Sequence, residues 1–356
     1  MTPTAQFTAA IPSMPPIDLG PVPNPLPRLL AAEDLTAEQS QHLFERLVLG
    51  KLEPGEIGGM LIALRMKGET PEEMIGAAQA LLAAATPFAR PDELFADCCG
   101  TGGDGAGTIN VSTAAGLVAA AAGLKVVKHG NRSVSSRCGS ADVLEALGAK
   151  LELSPERARA VLDEAAFTFL FAPAYHPGMK HAAIVRRQLS VPTVMNLLGP
   201  CVNPARPPVQ LLGVADPRML RRIAQVLQAL GVTHALVVHG GGLDEVALHA
   251  ETRAVRLSGG EIEELVLTPE DAGLERVALK ALEGGGPDVN AERLRTLLEG
   301  RGSEAEEQAV ALNAGALLWT AGLANGLAEG TARALDLIRS GAPARTLAAY
   351  VEASRG

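Results

Sequence analysis

Residues 94–132 read LFADCCGTGGDGAGTINVSTAAGLVAAAAGLKVVKHGNR. Leu94 to Cys99 is a short apolar run. It stops at a loop in which Gly100, Gly102, Gly103, Gly105 and Gly107 are glycine. Residues 113–122 then read as a helix, and 124–127 as a strand that ends in Lys128-His129-Gly130-Asn131-Arg132. Strand, glycine loop, helix and strand in that order predict an α/β sheet with helices on its faces. Ligands in such sheets bind beyond the carboxyl ends of the strands, where both unusual loops fall.

The same grammar continues towards the C-terminus. Residues 135–147 read as a helix, Ser154-Pro155 starts another, FTFLF is a strand, and 176–189 returns to helix. VQLLGV, PRMLRRIAQVLQAL and HALVVHG repeat strand, helix and strand, and Thr268-Pro269-Glu270-Asp271 resembles a further helix start. The last 65 or so residues, from SEAEEQAVALNAGALLWT onward, read as helices. Towards the N-terminus the text is different. Asp34 and Thr36 offer caps before EQSQHLFERLVLG, Glu53-Pro54 opens a second helix, and Thr70-Pro71 a third. The expected fold is α/β: a small all-helical N-terminal domain, and a large domain with a central, mostly parallel or mixed sheet flanked by helices. The boundaries drawn are 1–27 for a flexible proline-rich extension, 28–90 for the helical domain and 91–356 for the α/β domain. Helices near 176–200 are free to pack with the helical domain.

Composition narrows the function. The net charge is −9 and charged residues make up 20%, which argues against a general nucleic-acid binder, although a phosphate site needs only local donors. Cys98, Cys99, Cys138 and Cys201 include no CxxC pair. That spacing suits neither a disulfide framework nor a zinc site, and a cytoplasmic location is expected. No apolar run reaches the ~18–20 residues of a membrane span, and no signal peptide is expected.

Three loops carry chemistry. The glycine loop lets backbone N–H groups approach an anion closely, and Asn110, Ser112 and Thr113 open a helix whose N-terminus also favours anions. A tight turn needing positive φ is the plainer alternative. Gly100, Gly102 and Gly105 also match GxGxxG. A nicotinamide site, however, expects an acid at the second strand's tip, and here that tip is basic. In the second loop Lys128, His129 and Arg132 gather donors, with the hydroxyls of Ser133, Ser135 and Ser136. This suits phosphate oxygens, or else is a solvated basic loop. The third loop follows HALVVHG: Asp244 and Glu245 are adjacent carboxylates suited to Mg²⁺ bridged to substrate phosphates, or else common surface acids. Arg186 and Arg187 lie on an expected helix, where one could pair with a substrate carboxylate.

Together, CGTGGDGAGTINVST (99–113), KHGNRSVSSRCGSADVLEALG (128–148), RRQLSVPTVMNLLGPCVNPARP (186–207) and GGGLDEVALHAET (240–252) closely resemble the anthranilate phosphoribosyltransferase family. The likeness runs over about 28–340. It implies a homodimeric, Mg²⁺-dependent enzyme of tryptophan biosynthesis, with two ions per active site and the site between the domains. It implies contacts to phosphoribosyl pyrophosphate from Gly100, Gly103, Asp104, Thr108, Asn110, Val111, Ser112 and Thr113. The same site continues through Lys128, His129, Gly130, Asn131, Arg132, Ser133, Val134, Ser135, Ser136 and Ser140. Metal is expected at Ser112, Asp244 and Glu245. Gly100, Asn131 and Arg186 would face anthranilate, Arg186 meeting its carboxylate, with His129 and Pro200 lining the aromatic channel. His129, Asn131 and Arg186 are the catalytic candidates. Two positions depart from the family: Pro192 stands where arginine is usual and Met195 where phenylalanine is usual. Both fall near the hinge between the domains. A pyrimidine nucleoside phosphorylase and a nucleic-acid-binding paralogue are the rivals. The Asp244–Glu245 pair and the NLLGPCVNP stretch speak against the first, and the net charge against the second.

Overall fold

The computed structural model describes residues 24–133 and 136–356. Val134, Ser135 and most of the proline-rich extension lie outside the described residues.

Threonine side chains cap two of the N-terminal helices. The Thr36 hydroxyl accepts from Gln39 N, and the Thr70 hydroxyl from Glu73 N, each satisfying an amide that the first helical turn leaves unpaired. Four helices result: α1 (Leu26–Leu30), α2 (Ala37–Val48), α3 (Pro54–Lys67) and α4 (Pro71–Ala83). The first begins two residues inside the stretch assigned to the extension. Glu73 is buried and ties this unit together, accepting from Leu35 N, Thr70 N and Lys67 Nζ.

The chain then enters the sheet: β1 (Phe95–Gly100), α5 (Val111–Ala121), β2 (Lys125–Gly130), α6 (Ser140–Ala146), α7 (Pro155–Ala165) and β3 (Phe167–Phe171). Three short helices follow, α8 (Ala172–Tyr175), α9 (Lys180–Leu189) and α10 (Val194–Leu198). Then come β4 (Val209–Gly213), α11 (Leu220–Ala229), β5 (His234–Gly240), β6 (Thr252–Ser258) and β7 (Glu261–Leu267). The chain closes with α12 (Pro287–Leu298), α13 (Glu304–Thr320), α14 (Leu327–Arg339) and α15 (Ala342–Arg355).

The seven strands lie in the order β3-β2-β1-β4-β5-β6-β7. The first five run parallel, and β6 joins β5 and β7 by antiparallel pairing, so the sheet is mixed, as expected. β3 and β4 are buried at every position because helices cover both faces, and they accordingly read as unbroken apolar runs. After β3 the chain returns to the other side of β1, so β1 and β4 flank the switch point where such sheets open a crevice. Helices α9 and α10 pack on the N-terminal helices: Ala182, Val185, Val194 and Met195 share one core with Leu47, Leu61 and Leu64.

Three expectations need correction. The helix read at 135–147 begins only at Ser140. Gly139 is extended, and its amide donates to the Asp142 carboxylate, which sets the helix start there. The stretch at Thr268 forms a single 3₁₀ turn, Pro269–Ala272, stopped by Gly273 in the left-handed region. The helix read at 176–189 is in fact a 3₁₀ turn followed by α9 from Lys180. The β6–β7 hairpin and α12 were not read from the sequence at all.

Candidate active site

The C-terminal ends of β1 and β2, with the segments that follow β3 and β5, open into one cleft of about 620 Å³. Except for Arg187, which is exposed on α9 away from the cleft, every candidate residue within the described part of the chain lines it. These are Gly100, Gly103, Asp104, Thr108 and Asn110 to Thr113 on the first loop, and Lys128 to Ser133, Ser136 and Ser140 on the second. Arg186 and Pro200 come from the middle helices, and Asp244 and Glu245 from the third loop. Val134 and Ser135 fall outside the described residues.

The glycine loop owes its shape to backbone freedom. Gly102, Gly103, Gly105 and Gly107 all have positive φ with open space where a Cβ would stand. The loop can therefore turn its amides inward without a side chain in the way. Gly100 is a different case. A Cβ there would lie 2.2 Å from Asp244 Oδ2, so this glycine is a matter of close approach.

The acid pair sits on the first loop, Asp244 at its glycine run and Glu245 at the start of α5. Asp244 Oδ2 accepts from Gly102 N at 2.7 Å, and Glu245 Oε1 accepts from Ser112 N at 3.1 Å. Glu245 thus lies at the N-terminus of α5, where negative charge is favoured. Burial, and then Asp104 beside it, pushes the Asp244 carboxyl up; burial, and then Asp244, does the same to Glu245. Two half-buried acids that repel each other fit a divalent cation of hard character. Among the described residues no group of three or more acids, histidines or cysteines encloses such an ion. Two carboxylates with the remaining ligands left to water and substrate oxygens is the arrangement Mg²⁺ usually takes.

The basic loop divides its donors. Lys128 is buried, and its ammonium donates to Cys98 O and to Ser112 Oγ. Burial opposes its charge, but Cys98, Asp97, Cys99 and Glu245 nearby carry the balance upward. Arg132 turns outward: it donates to Glu145 at 2.7 and 3.0 Å and to Asp142 at 3.2 Å, and stacks over Phe171. Its side-chain donors are thus engaged within the protein. The Asn110 amide faces inward as well, donating to Cys138 O and accepting from Asn290. Asn131 is exposed at the cleft.

His129 is buried, its ring 5.2 Å from that of His176, and its Nε2 has no partner among the described residues. Burial, with His176 adding to it, pushes His129 down to about 3, so it is neutral at physiological pH. Arg186 has no acidic partner among the described residues, and burial lowers its pKa. A half-buried, unpaired guanidinium on the cleft wall is a receptor for an anion. Of the two departures from the family, Met195 is buried in the helical core and reaches the cleft wall, while Pro192 is exposed before α10.

Sequence reading missed the supports. Asp97, wholly buried on β1, accepts from His129 N at 3.3 Å and from Asn203 Nδ2 at 2.9 Å. Asn203 also donates to Val127 O and so joins the NLLGPCVNP loop to β1 and β2. A charged residue inside an otherwise apolar strand run was the available signal.

The sequence pattern of the Glycosyl transferase family a/b domain matches residues 92–344, and that of its helical bundle domain matches 26–85. An anthranilate phosphoribosyltransferase of Sorangium cellulosum (strain So ce56) is 58% identical over 327 residues, 92% of this chain and 94% of its own length. The crystal structure of the anthranilate phosphoribosyltransferase from Thermus thermophilus superposes with a TM-score of 0.89 at 44% identity, covering 94% of this chain and 100% of that one. The Saccharomyces cerevisiae enzyme in complex with PRPP and Mg gives 0.85 at 26% identity, over 93% and 96%.

Proposed function

This chain belongs to the anthranilate phosphoribosyltransferase family, and on that premise we propose how its cleft divides the work. The chain transfers the 5-phosphoribosyl group of phosphoribosyl pyrophosphate to the amine of anthranilate, the second step of tryptophan biosynthesis from chorismate. The products are N-(5-phosphoribosyl)anthranilate and pyrophosphate. One observation carries the division of roles: an anion cradle, an acid pair and an unpaired arginine share a single cleft.

The glycine loop, the N-terminus of α5 and the loop from Gly130 to Ser140 hold the phosphoribosyl pyrophosphate. Their amides and hydroxyls stand ready-oriented where charge grows on the leaving group, so little reorganisation is needed as it departs. Asp244 and Glu245, with the Ser112 hydroxyl, hold Mg²⁺, in two ions per site. When bound, Mg²⁺ neutralises the pyrophosphate and stabilises its departure. Lys128 sets a positive charge near Glu245, offsetting part of the repulsion within the acid pair. Arg186 pairs with the anthranilate carboxylate, and Asn131 helps align the amine opposite the leaving pyrophosphate. An aromatic amine is already unprotonated near neutrality. The neutral His129 therefore serves as a hydrogen-bonding wall of the aromatic channel beside Pro200 and does not act as a charged acid.

Arg186→Ala is expected to raise the anthranilate KM ~10- to 100-fold, the range for losing a hydrogen-bonded charge pair. The phosphoribosyl pyrophosphate KM should stay within about twofold. Equal effects on both constants would remove the assigned role.

We take the chain to divide near residue 90, with α9 and α10 joining the helical unit by packing. We also place it in the cytoplasm, where its four buried free thiols are at home, and infer a homodimer. Leu49, Met66 and Ile184, all exposed on the helical unit, are apolar surface that a second copy would cover.

The direct test follows anthranilate fluorescence in purified protein with phosphoribosyl pyrophosphate and Mg²⁺. Loss of signal that needs all three and stops with EDTA is the expected result. No loss, with phosphoribosyl pyrophosphate binding intact, would point to a changed acceptor.

A further inference from the structure

The segment from Leu279 into α12 lies against the back of the glycine loop. Gly284 N donates to Gly107 O at 2.8 Å, and Ile109 N to Leu282 O at 3.0 Å. Gly284 is pressed so close that a Cβ would stand 2.6 Å from Thr108 O and 2.7 Å from Asn290 Oδ1. Arg293, on α12, donates to Glu283 O and Ala281 O and pairs with Glu306, clamping the segment from behind. This strap therefore belongs to the site, although no sequence motif marks it.

Asn290 connects the strap to both substrate loops. It is 1% exposed. Its Oδ1 accepts from Gly285 N at 2.8 Å, and its Nδ2 donates to Asn110 Oδ1 at 2.9 Å. Asn110 Nδ2 then donates to Cys138 O at 3.1 Å. The result is one directed chain: Gly285 to Asn290, Asn290 to Asn110, Asn110 to Cys138. It runs from the strap, through the residue before α5, to the carbonyl that closes the serine loop. Each amide has one orientation compatible with both its neighbours, so Asn290 dictates which way Asn110 points.

We propose that Asn290 is a positioning residue for the phosphoribosyl pyrophosphate site, holding the glycine loop and the serine loop at a fixed separation through Asn110. The proposal rests on the reading of these two loops as the phosphate-binding surfaces. Asn290 touches no substrate. It acts by presenting a donor to Asn110 Oδ1.

Asn290→Asp replaces that donor by an acceptor of the same shape. Asn110 must then turn its amide and give up Cys138 O. Steady-state kinetics on the full chain, with each substrate varied, should show the phosphoribosyl pyrophosphate KM raised ~10-fold and the anthranilate KM within about twofold, since ~1.4 kcal/mol is tenfold. Asn290→Ala should raise the same constant. If Asn290 acts through Asn110, Asn290→Ala combined with Asn110→Ala should be no worse than Asn110→Ala alone. A phosphoribosyl pyrophosphate KM unchanged in both Asn290 variants, or strictly additive effects in the double variant, overturns the proposal. Should the aspartate variant not fold, the alanine pair decides by the same comparison. A wild-type chain that consumes no anthranilate would instead mean that the reading of the cleft has failed.

Discussion

The double variant Asp244→Asn, Glu245→Gln is expected to lose Mg²⁺-dependent phosphoribosyl transfer by at least about a hundredfold and, in EDTA, to melt higher than the wild type. The first effect follows from chemistry. A metal that stabilises a departing pyrophosphate contributes several kcal/mol, and ~3 kcal/mol is already a hundredfold in rate. The second follows from electrostatics. Burial, with Asp104 beside Asp244 and Asp244 beside Glu245, pushes both carboxyls above the usual carboxylate range. A carboxyl whose folded-state value is raised favours the fold while protonated, and that contribution is lost as the pH rises through the folded-state value. Metal-free wild type should therefore lose stability from the ordinary carboxylate range up towards neutral pH, and the amide variant should not. Asn and Gln keep the shape and can still accept from Gly102 N and Ser112 N. A gain of roughly 1–2 °C at pH 7.5 is expected, the shift that ~1 kcal/mol produces in a chain of 356 residues. Mg²⁺ should raise the melting temperature of the wild type only. Turnover that keeps its full metal dependence in the variant would remove the acid pair from the site.

Gly213→Ala, at the end of β4, is expected to be nearly as damaging although this glycine carries no chemistry. A Cβ there would stand 1.6 Å from Asp244 O and 2.2 Å from Asp244 C. These are backbone atoms, so no side-chain rotation relieves the clash, and the loop bearing Asp244 and Glu245 must lift off the strand ends. Overpacking of this kind costs ~1–3 kcal/mol of stability. The larger loss is functional, because displacing metal ligands by even ~1 Å costs on the order of a hundredfold. A Mg²⁺ titration of activity in Gly213→Ala should show both a raised metal requirement and a lower maximal rate. Gly55→Ala serves as the control. That glycine lies in α3 with nothing within 4 Å of its would-be Cβ, so activity should be unchanged and stability slightly raised. If Gly213→Ala behaved like Gly55→Ala, the close approach of the acid loop to β4 would carry no functional weight.

The strands that bear the three loops were legible because each is a short apolar run broken by residues that strands avoid. Arg186 was legible through the family likeness, and the structure then left it unpaired on the cleft wall. The β6–β7 hairpin was overlooked although its signal was present: TRAVRLS and EIEELVL flank Gly259-Gly260, both at positive φ, which is ordinary hairpin grammar. The start of α6 was misplaced because Ser and Gly between Arg132 and Ser140 do not reveal where a cap will form; Asp142 chooses it by reaching back to Gly139. The roles of Lys128 and Arg132 were legible only as charge. Which of their donors face the cleft and which face Cys98 O, Ser112 or Glu145 depends on neighbours that chain order does not show.

The reaction came from the family likeness of the motifs; by itself, the sequence determined the α/β class, the helical start and the three loops. These rest on local chemistry: apolar period, capping residues, glycines at positive φ and charge at strand ends all act within a few residues. The tertiary structure alone decided that the acid loop settles on Gly100 and Gly213, that Asp97 and Asn203 tie the NLLGPCVNP loop to β1 and β2, and that a strap running into Asn290 orients Asn110. The contacts Asn203–Val127, Asn203–Asp97 and Asn290–Asn110 join residues 76, 106 and 180 positions apart. Contacts over such separations exist only once the strands have chosen their neighbours, so no local pattern in the chain can encode them.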